Sequence, residues 1–176
     1  MATYLGIDIG TSAVRAVLVK TSYRRVSLAG MGACDLAGVA DLGEAIRVAV
    51  GTLGLRCDGV AVALPGDKVF VRRLPIPATA MKQMAEVVPF EIEAQIPFDV
   101  AEAVFDFRPL PRPKDQPHVD VFATIARQED VRARIDLVKA AVPHEPELVV
   151  PGAMSLASLV PHVPDLAAAG VLAVVD

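Results

Sequence analysis

The chain has 176 residues, 53% of them hydrophobic, with a formal net charge of −4 and no Trp. That length can bury a real core, in one domain or two small ones, and an acidic chain without a basic run is not a nucleic-acid binder. Mean hydropathy is high at +0.47, yet the longest strongly apolar stretch, Leu166 to Val175, is about half of the ~20 residues that a bilayer span needs.

The start Met-Ala-Thr-Tyr-Leu has no basic region followed by an apolar one, so no export signal is visible. Cys34 and Cys57 sit at no metal or redox spacing, which predicts a reduced, cytoplasmic α/β protein. Tyr4 to Asp8 and Val14 to Lys20 are rich in Val, Ile and Leu and flank the break Asp8-Ile9-Gly10-Thr11-Ser12, the pattern of a hairpin. Gly10 lets the backbone approach a ligand closely, and successive N–H groups in such a turn can form an anion-binding nest. Thr11 and Ser12 add hydroxyls and Arg15 adds a fixed positive charge. A phosphate suits that turn. A plain hairpin, in which Asp8 and Thr11 only stabilise the turn, accounts for the same residues.

A third strand is predicted from Val26 to Ala33, after the polar turn Ser22-Tyr-Arg-Arg25, whose arginines read as solvated. Asp41 is the predicted N-cap of a helix, with Glu44 three residues on as a variant capping box. Leu42, Ala45, Ile46, Ala49 and Leu53 form its apolar stripe, and Gly54 marks its stop. Gly59 to Leu64 is apolar on both faces, as a buried strand parallel to the first would be.

The pattern changes at Asp67. Val69 to Pro77 reads as a strand, and Thr79 to Ile96 as a helix with Met81, Met84, Ala85, Val88, Ile92 and Ile96 on one stripe. Pro89 is expected to kink that helix or split it in two. Two strands follow, Ala103 to Leu110 and His118 to Ile125, joined by a proline-rich loop. A helix is predicted from Glu129 to Val142, with Val131, Ile135, Val138 and Val142 as its stripe. The remainder returns to the first pattern: a strand at Pro146 to Val150, a helix at Gly152 to Val160 and a buried-type strand at Gly170 to Val175. A domain seldom ends on a core strand, so truncation is expected.

Other residues with chemical potential read as structural. His118, His144 and His162 have no ligand spacing and are expected at the surface. Ser155 and Ser158 lack a nearby His and the glycines of a nucleophile elbow. Glu91 and Glu93 diverge by about 200° on a helix; Glu93 is expected in solvent and Glu91 paired with Arg72 or Arg73, unless it contacts a partner. Met81 and Met84 are expected in the core.

Ile7-Asp8-Ile9-Gly10-Thr11-Ser12 with Arg15 resembles the first phosphate motif of the actin, Hsp70 and sugar-kinase ATPase superfamily. More narrowly, Ala63-Leu-Pro-Gly66, Arg72-Arg-Leu-Pro-Ile-Pro77 and Glu91-Ile-Glu-Ala-Gln-Ile-Pro-Phe98 together resemble the PilM type IV pilus assembly family. They equally resemble its type II secretion relative, the cytoplasmic domain of the GspL family. The resemblance implies an actin-like (ribonuclease H-like) subdomain 1A with an inserted α+β subdomain, 1C, as also found in the cell-division protein FtsA. On this chain that means 1A over residues 1–66, 1C over 67–143, 1A again over 144–170, and the first strand of a second lobe over 171–176.

The same resemblance implies roles for the turn. Asp8 would orient a metal-bound water, Gly10, Thr11 and Ser12 would cradle phosphates with their backbone, and Arg15 stands where the superfamily often has lysine. ATP and Mg would bind only with a second lobe, so neither tight nucleotide binding nor ATPase activity is expected of this chain. The implied function is a non-enzymatic scaffold, peripheral to the inner membrane through a partner. It would bind the short N-terminal tail of a single-pass PilN-like protein between 1A and 1C, with an assembly ATPase as a further partner. The alternative is part of a sugar- or acetate-kinase-like phosphotransferase, which the 1C-like insertion argues against.

Overall fold

In a computed structural model the described residues are 1–23, 25–54, 56–111, 113 and 116–163; the strand expected at Gly170 to Val175 and the second-lobe boundary lie outside them. The chain divides into two units, residues 1–66 with 133 onward, and residues 67–132.

The first unit is built on a five-stranded sheet of order β3-β2-β1-β4-β8. β1 (Ala2–Ile9), β2 (Ala13–Ser22) and β3 (Arg25–Asp35) form an antiparallel meander. β4 (Gly59–Leu64) lies parallel to β1, as its two-sided apolar sequence predicts, and β8 (Leu148–Pro151) lies parallel to β4. Alternate residues of the central strands, Leu5, Ile7 and Ile9, Val14, Ala16 and Leu18, and Val60 and Val62, are buried in one core. Ile46, Ala49 and Val50 of α1 (Leu42–Gly51) close that core.

Helix α1 begins as expected at Asp41, whose carboxylate accepts from the Gly43 N–H at 2.9 Å. Its buried stripe is rotated from the predicted one: Gly43 and Val50 are inside, while Leu42 is exposed. The reason is close approach to β3. A Cβ on Gly32 would overlap the Ala49 carbonyl oxygen, and one on Gly30 would press on the end of the Leu53 side chain. Two glycines on β3 therefore let the helix backbone settle onto the strand. Replacing Asp41 by Ala is expected to cost about 1 kcal/mol through loss of the cap, measurable by chemical denaturation.

The second unit has a three-stranded antiparallel sheet of order β5-β7-β6, from β5 (Val69–Pro77), β6 (Ala103–Pro109) and β7 (His118–Arg127). α2 (Met84–Glu93) packs on one face, where Leu74, Ile76, Met84, Val88, Ile92, Val121, Ala123 and Ile125 make a separate core.

Two expectations are corrected here. The helical stretch breaks at Gln83, between a 3-10 segment (Ala78–Gln83) and α2, while Pro89 lies inside α2. Ala85, whose carbonyl loses its donor, is exposed, so water can replace the missing bond. The tighter 3-10 winding shifts the phase of the stripe and leaves Met81 44% exposed. The ion pair expected for Glu91 is also absent among the described residues. Arg73 pairs with Asp120, and Arg72 donates from Nε and Nη2 to the Gln95 carbonyl at 3.3 and 3.2 Å.

An aromatic cluster holds the segment after α2. The Phe70 and Phe98 rings meet edge to face at 5.6 Å, and the Arg127 guanidinium lies 4.2 Å from the Phe98 centroid. These contacts account for the Phe of the Gln-Ile-Pro-Phe stretch. α3 (Gln128–Ala141) straddles the second boundary between the units. Val138 of α3 and Val142, the residue just after it, belong to the first core, and the second unit ends at Arg132. α4 (Gly152–Ala157) completes the described elements and is shorter than predicted, with a 3-10 turn at Val160–His162 after it. His144 is half-buried rather than at the surface, its Nε2 3.2 Å from the Cys57 carbonyl oxygen. Both cysteines are free.

Candidate functional site

The predicted phosphate turn lies at the tip of the β1–β2 hairpin. β1 is central in its sheet, so the rigid strands on either side fix where the tip points. The register places Asp8 opposite Arg15 and Ile9 opposite Val14, so Asp8 and Arg15 share the face away from the core. Gly10, Thr11 and Ser12 make the turn between the strands, with Thr11 and Ser12 exposed.

All five expected residues are thus gathered at one place, but their backbone groups are not equivalent. The Gly10 N–H donates to the Ala13 carbonyl at 3.0 Å and closes the turn on itself. Among the described residues no protein acceptor takes the N–H of Thr11 or of Ser12. The donors open to an anion are therefore these two N–H groups and the two hydroxyls. Gly10 has a different part: a Cβ there would meet the Ala13 carbonyl at 3.2 Å and the Arg15 Nη1 at 3.8 Å. Its missing side chain relieves the tight approach to the Ala13 carbonyl, while the Arg15 guanidinium folds back over the turn at ordinary contact distance. That adds a cation beside the free donors and keeps a planar fork where a lysine would place a point charge.

One fastening was not visible in the sequence. The Ser12 carbonyl accepts the Leu36 N–H at 2.8 Å, so the chain leaving β3 ties down the turn from the side. The arrangement gathers two free backbone donors, two hydroxyls, the Arg15 cation and the Asp8 carboxylate at one hairpin tip. The described residues hold no group of three or more His, Cys, Asp or Glu that could bind a metal. None of their helices is long and apolar enough to cross a membrane.

A family model described as type IV pilus assembly protein PilM matches residues 6–176. No curated protein matches the sequence. Among solved structures the chain is similar to the PilM–PilN type IV pilus biogenesis complex. The TM-score is 0.74 at 26% identity, over 90% of this chain and 50% of that one. It is also similar to the cytoplasmic domain of EpsL, an inner membrane component of the type II secretion system of Vibrio cholerae. There the TM-score is 0.59 at 18% identity, over 85% of this chain and 57% of that one, a likeness of fold alone. The chain spans about half the length of these solved proteins. Its α/β fold is the actin-like one, with an inserted α+β unit.

Proposed function

Because this chain belongs to the PilM family of type IV pilus assembly proteins, we propose that it is a scaffold of a pilus assembly platform. In this reading it binds the short cytoplasmic tail of a PilN-like, single-pass membrane protein and is held at the cytoplasmic face of the inner membrane by that partner. The observation that carries the reading is the likeness to a protein solved in complex with PilN, over 90% of the chain. Capture of an extended tail by a rigid α/β scaffold needs no catalysis. The family match favours a pilus over a secretion system and over a phosphotransferase.

Titration calorimetry of the folded chain with the partner's cytoplasmic tail peptide tests this. Saturable heat with a scrambled peptide silent is the expected result; no heat from well-folded protein would sink the proposal.

The β1–β2 turn is proposed as an inherited nucleotide site. Thr11 and Ser12 would donate to phosphates, Arg15 would offset their charge and Asp8 would orient the water on Mg, which supplies electrophilic assistance when bound. The turn supplies donors on one side only, and a nucleotide held by a single wall binds weakly. This chain is expected to show no ATP turnover above background in a coupled phosphate-release assay. Turnover that vanishes in Asp8→Ala would overturn that expectation.

A further inference from the structure

We propose that the β2–β3 hairpin is a direct contact for an anionic phospholipid membrane, independent of any protein partner. Charge is the first ground. In a chain of net charge −4, the stretch from Ile9 to Cys34 carries Arg15, Lys20, Arg24 and Arg25 and no carboxylate. Lys20 and Arg25 are exposed, and among the described residues neither has a carboxylate partner. These cations are available to an outside anion.

Exposed apolar side chains at the same end are the second ground. Tyr23 is fully exposed at the tip, with Val26 57% and Leu28 58% exposed just behind it. Tyr23 follows Ser22, the last residue of β2, which the register pairs with Arg25, and its φ is +52°. It is the sole non-glycine residue with positive φ among those described, a conformation that a bulky side chain adopts at a cost. Asn or Gly would fill that position more easily. A tyrosine held there places an amphipathic ring at the foremost point of the hairpin; behind it the register puts Lys20 and Arg25 on one face and Val26 and Leu28 on the other, so the tip meets a surface end-on.

That combination suits a bilayer surface. Tyrosine rings settle at headgroup level, lysine and arginine reach anionic headgroups, and short apolar groups enter the interface. β3 is an edge strand among the described residues, so groups on both faces of the tip can reach a surface that the hairpin meets end-on. A nucleic acid or another polyanion would use the cations but leave Val26 and Leu28 in water, which favours the membrane.

Vesicle co-sedimentation of the full chain tests this without the pilus partner, so its outcome is separate from that of the tail-binding reading. The chain is expected to bind vesicles of equal parts phosphatidylglycerol and phosphatidylcholine, to ignore pure phosphatidylcholine, and to be released by salt. Each cation removed should weaken partitioning about five-fold, so Lys20→Ser with Arg25→Ser should lower it about twenty-five-fold. Tyr23→Ser should also release the chain from vesicles. Lys82→Ser, at an exposed cation of the second unit, should have no effect. Circular dichroism confirms that each variant is folded. The proposal is overturned if wild type ignores anionic vesicles, if it binds neutral ones equally, or if Lys82→Ser weakens binding as much as Lys20→Ser. Binding to heparin through Lys20 and Arg25 with none to vesicles would also overturn it, pointing to a polyanion.

Discussion

Gly32→Ala is expected to destabilise the protein by about 3 kcal/mol, near the upper end for overpacking, and to lower its thermal midpoint by roughly 10 °C. The substitution adds one methyl group, directed at the carbonyl oxygen of Ala49 in α1. A backbone oxygen in a helix cannot rotate away, so the helix must lift from β3. Lifting it opens gaps around Ile46, Ala49 and Val50, all buried in the first core. Gly30→Ala is the informative comparison. Its Cβ would lie 2.9 Å from the Leu53 Cδ2, the free end of a flexible side chain. That neighbour can turn aside, so Gly30→Ala should cost much less. Thermal melts of the two variants decide the point; equal losses would mean that close helix approach at Gly32 is not the cause.

Ile92→Ala should cost about 3 kcal/mol, with the loss confined to the second unit. Ile92 is fully buried between α2 and the β5-β7-β6 sheet, among Leu74, Val88, Val121 and Ile125. Truncating it leaves a cavity lined by branched aliphatic side chains in a small unit whose core rests on three described strands and α2. Hydrogen exchange followed by mass spectrometry should show faster exchange across β5, β6, β7 and α2. The amides of β1 and β4, which rest on the other core, should keep their protection. Acceleration spread evenly over both units would contradict the separation of the two cores.

Most of the strands could be read from the sequence because each carries its own signal. β4 and β5 begin and end where their apolar runs and flanking Gly and Pro predict. The parallel pairing of β1 with β4 follows from a run apolar on both faces. Helical stretches were harder. The residues from 78 to 93 form a 3-10 segment and then an α-helix, and an i, i+3 pattern fits both, so the phase of the stripe was lost at Met81. For α1 the stripe was rotated by something no helix sequence contains, the two glycines on β3 that it packs against.

The candidate site divides in the same way. Asp8, Gly10, Thr11, Ser12 and Arg15 are contiguous, so their residue types and the hairpin spacing were enough to group them. Which donors are free was not legible. That depends on the Ala13 carbonyl taking the Gly10 N–H and on Leu36 fastening Ser12. Both are settled by three-dimensional closure of the meander. The pairing of Arg73 with Asp120 and the hold of Arg72 on Gln95 were hidden for a related reason, since strand register and helix end decide them together.

The ion pair at the foot of the second unit gives that unit the character of a cassette. Lys68 Nζ lies 3.0 Å from Asp130 Oδ1, and these residues stand one position inside its first residue and two inside its last. The exposed ammonium is pushed above its usual pKa, chiefly by its hydrogen bond to Asp130. The chain therefore enters and leaves residues 67–132 through neighbouring points. A segment whose two ends meet can be replaced by a short glycine-serine bridge, or exchanged for that of a relative, without stretching the host that receives it. Evolution could vary such a segment from one relative to another while leaving the five-stranded sheet and its hairpin turn untouched.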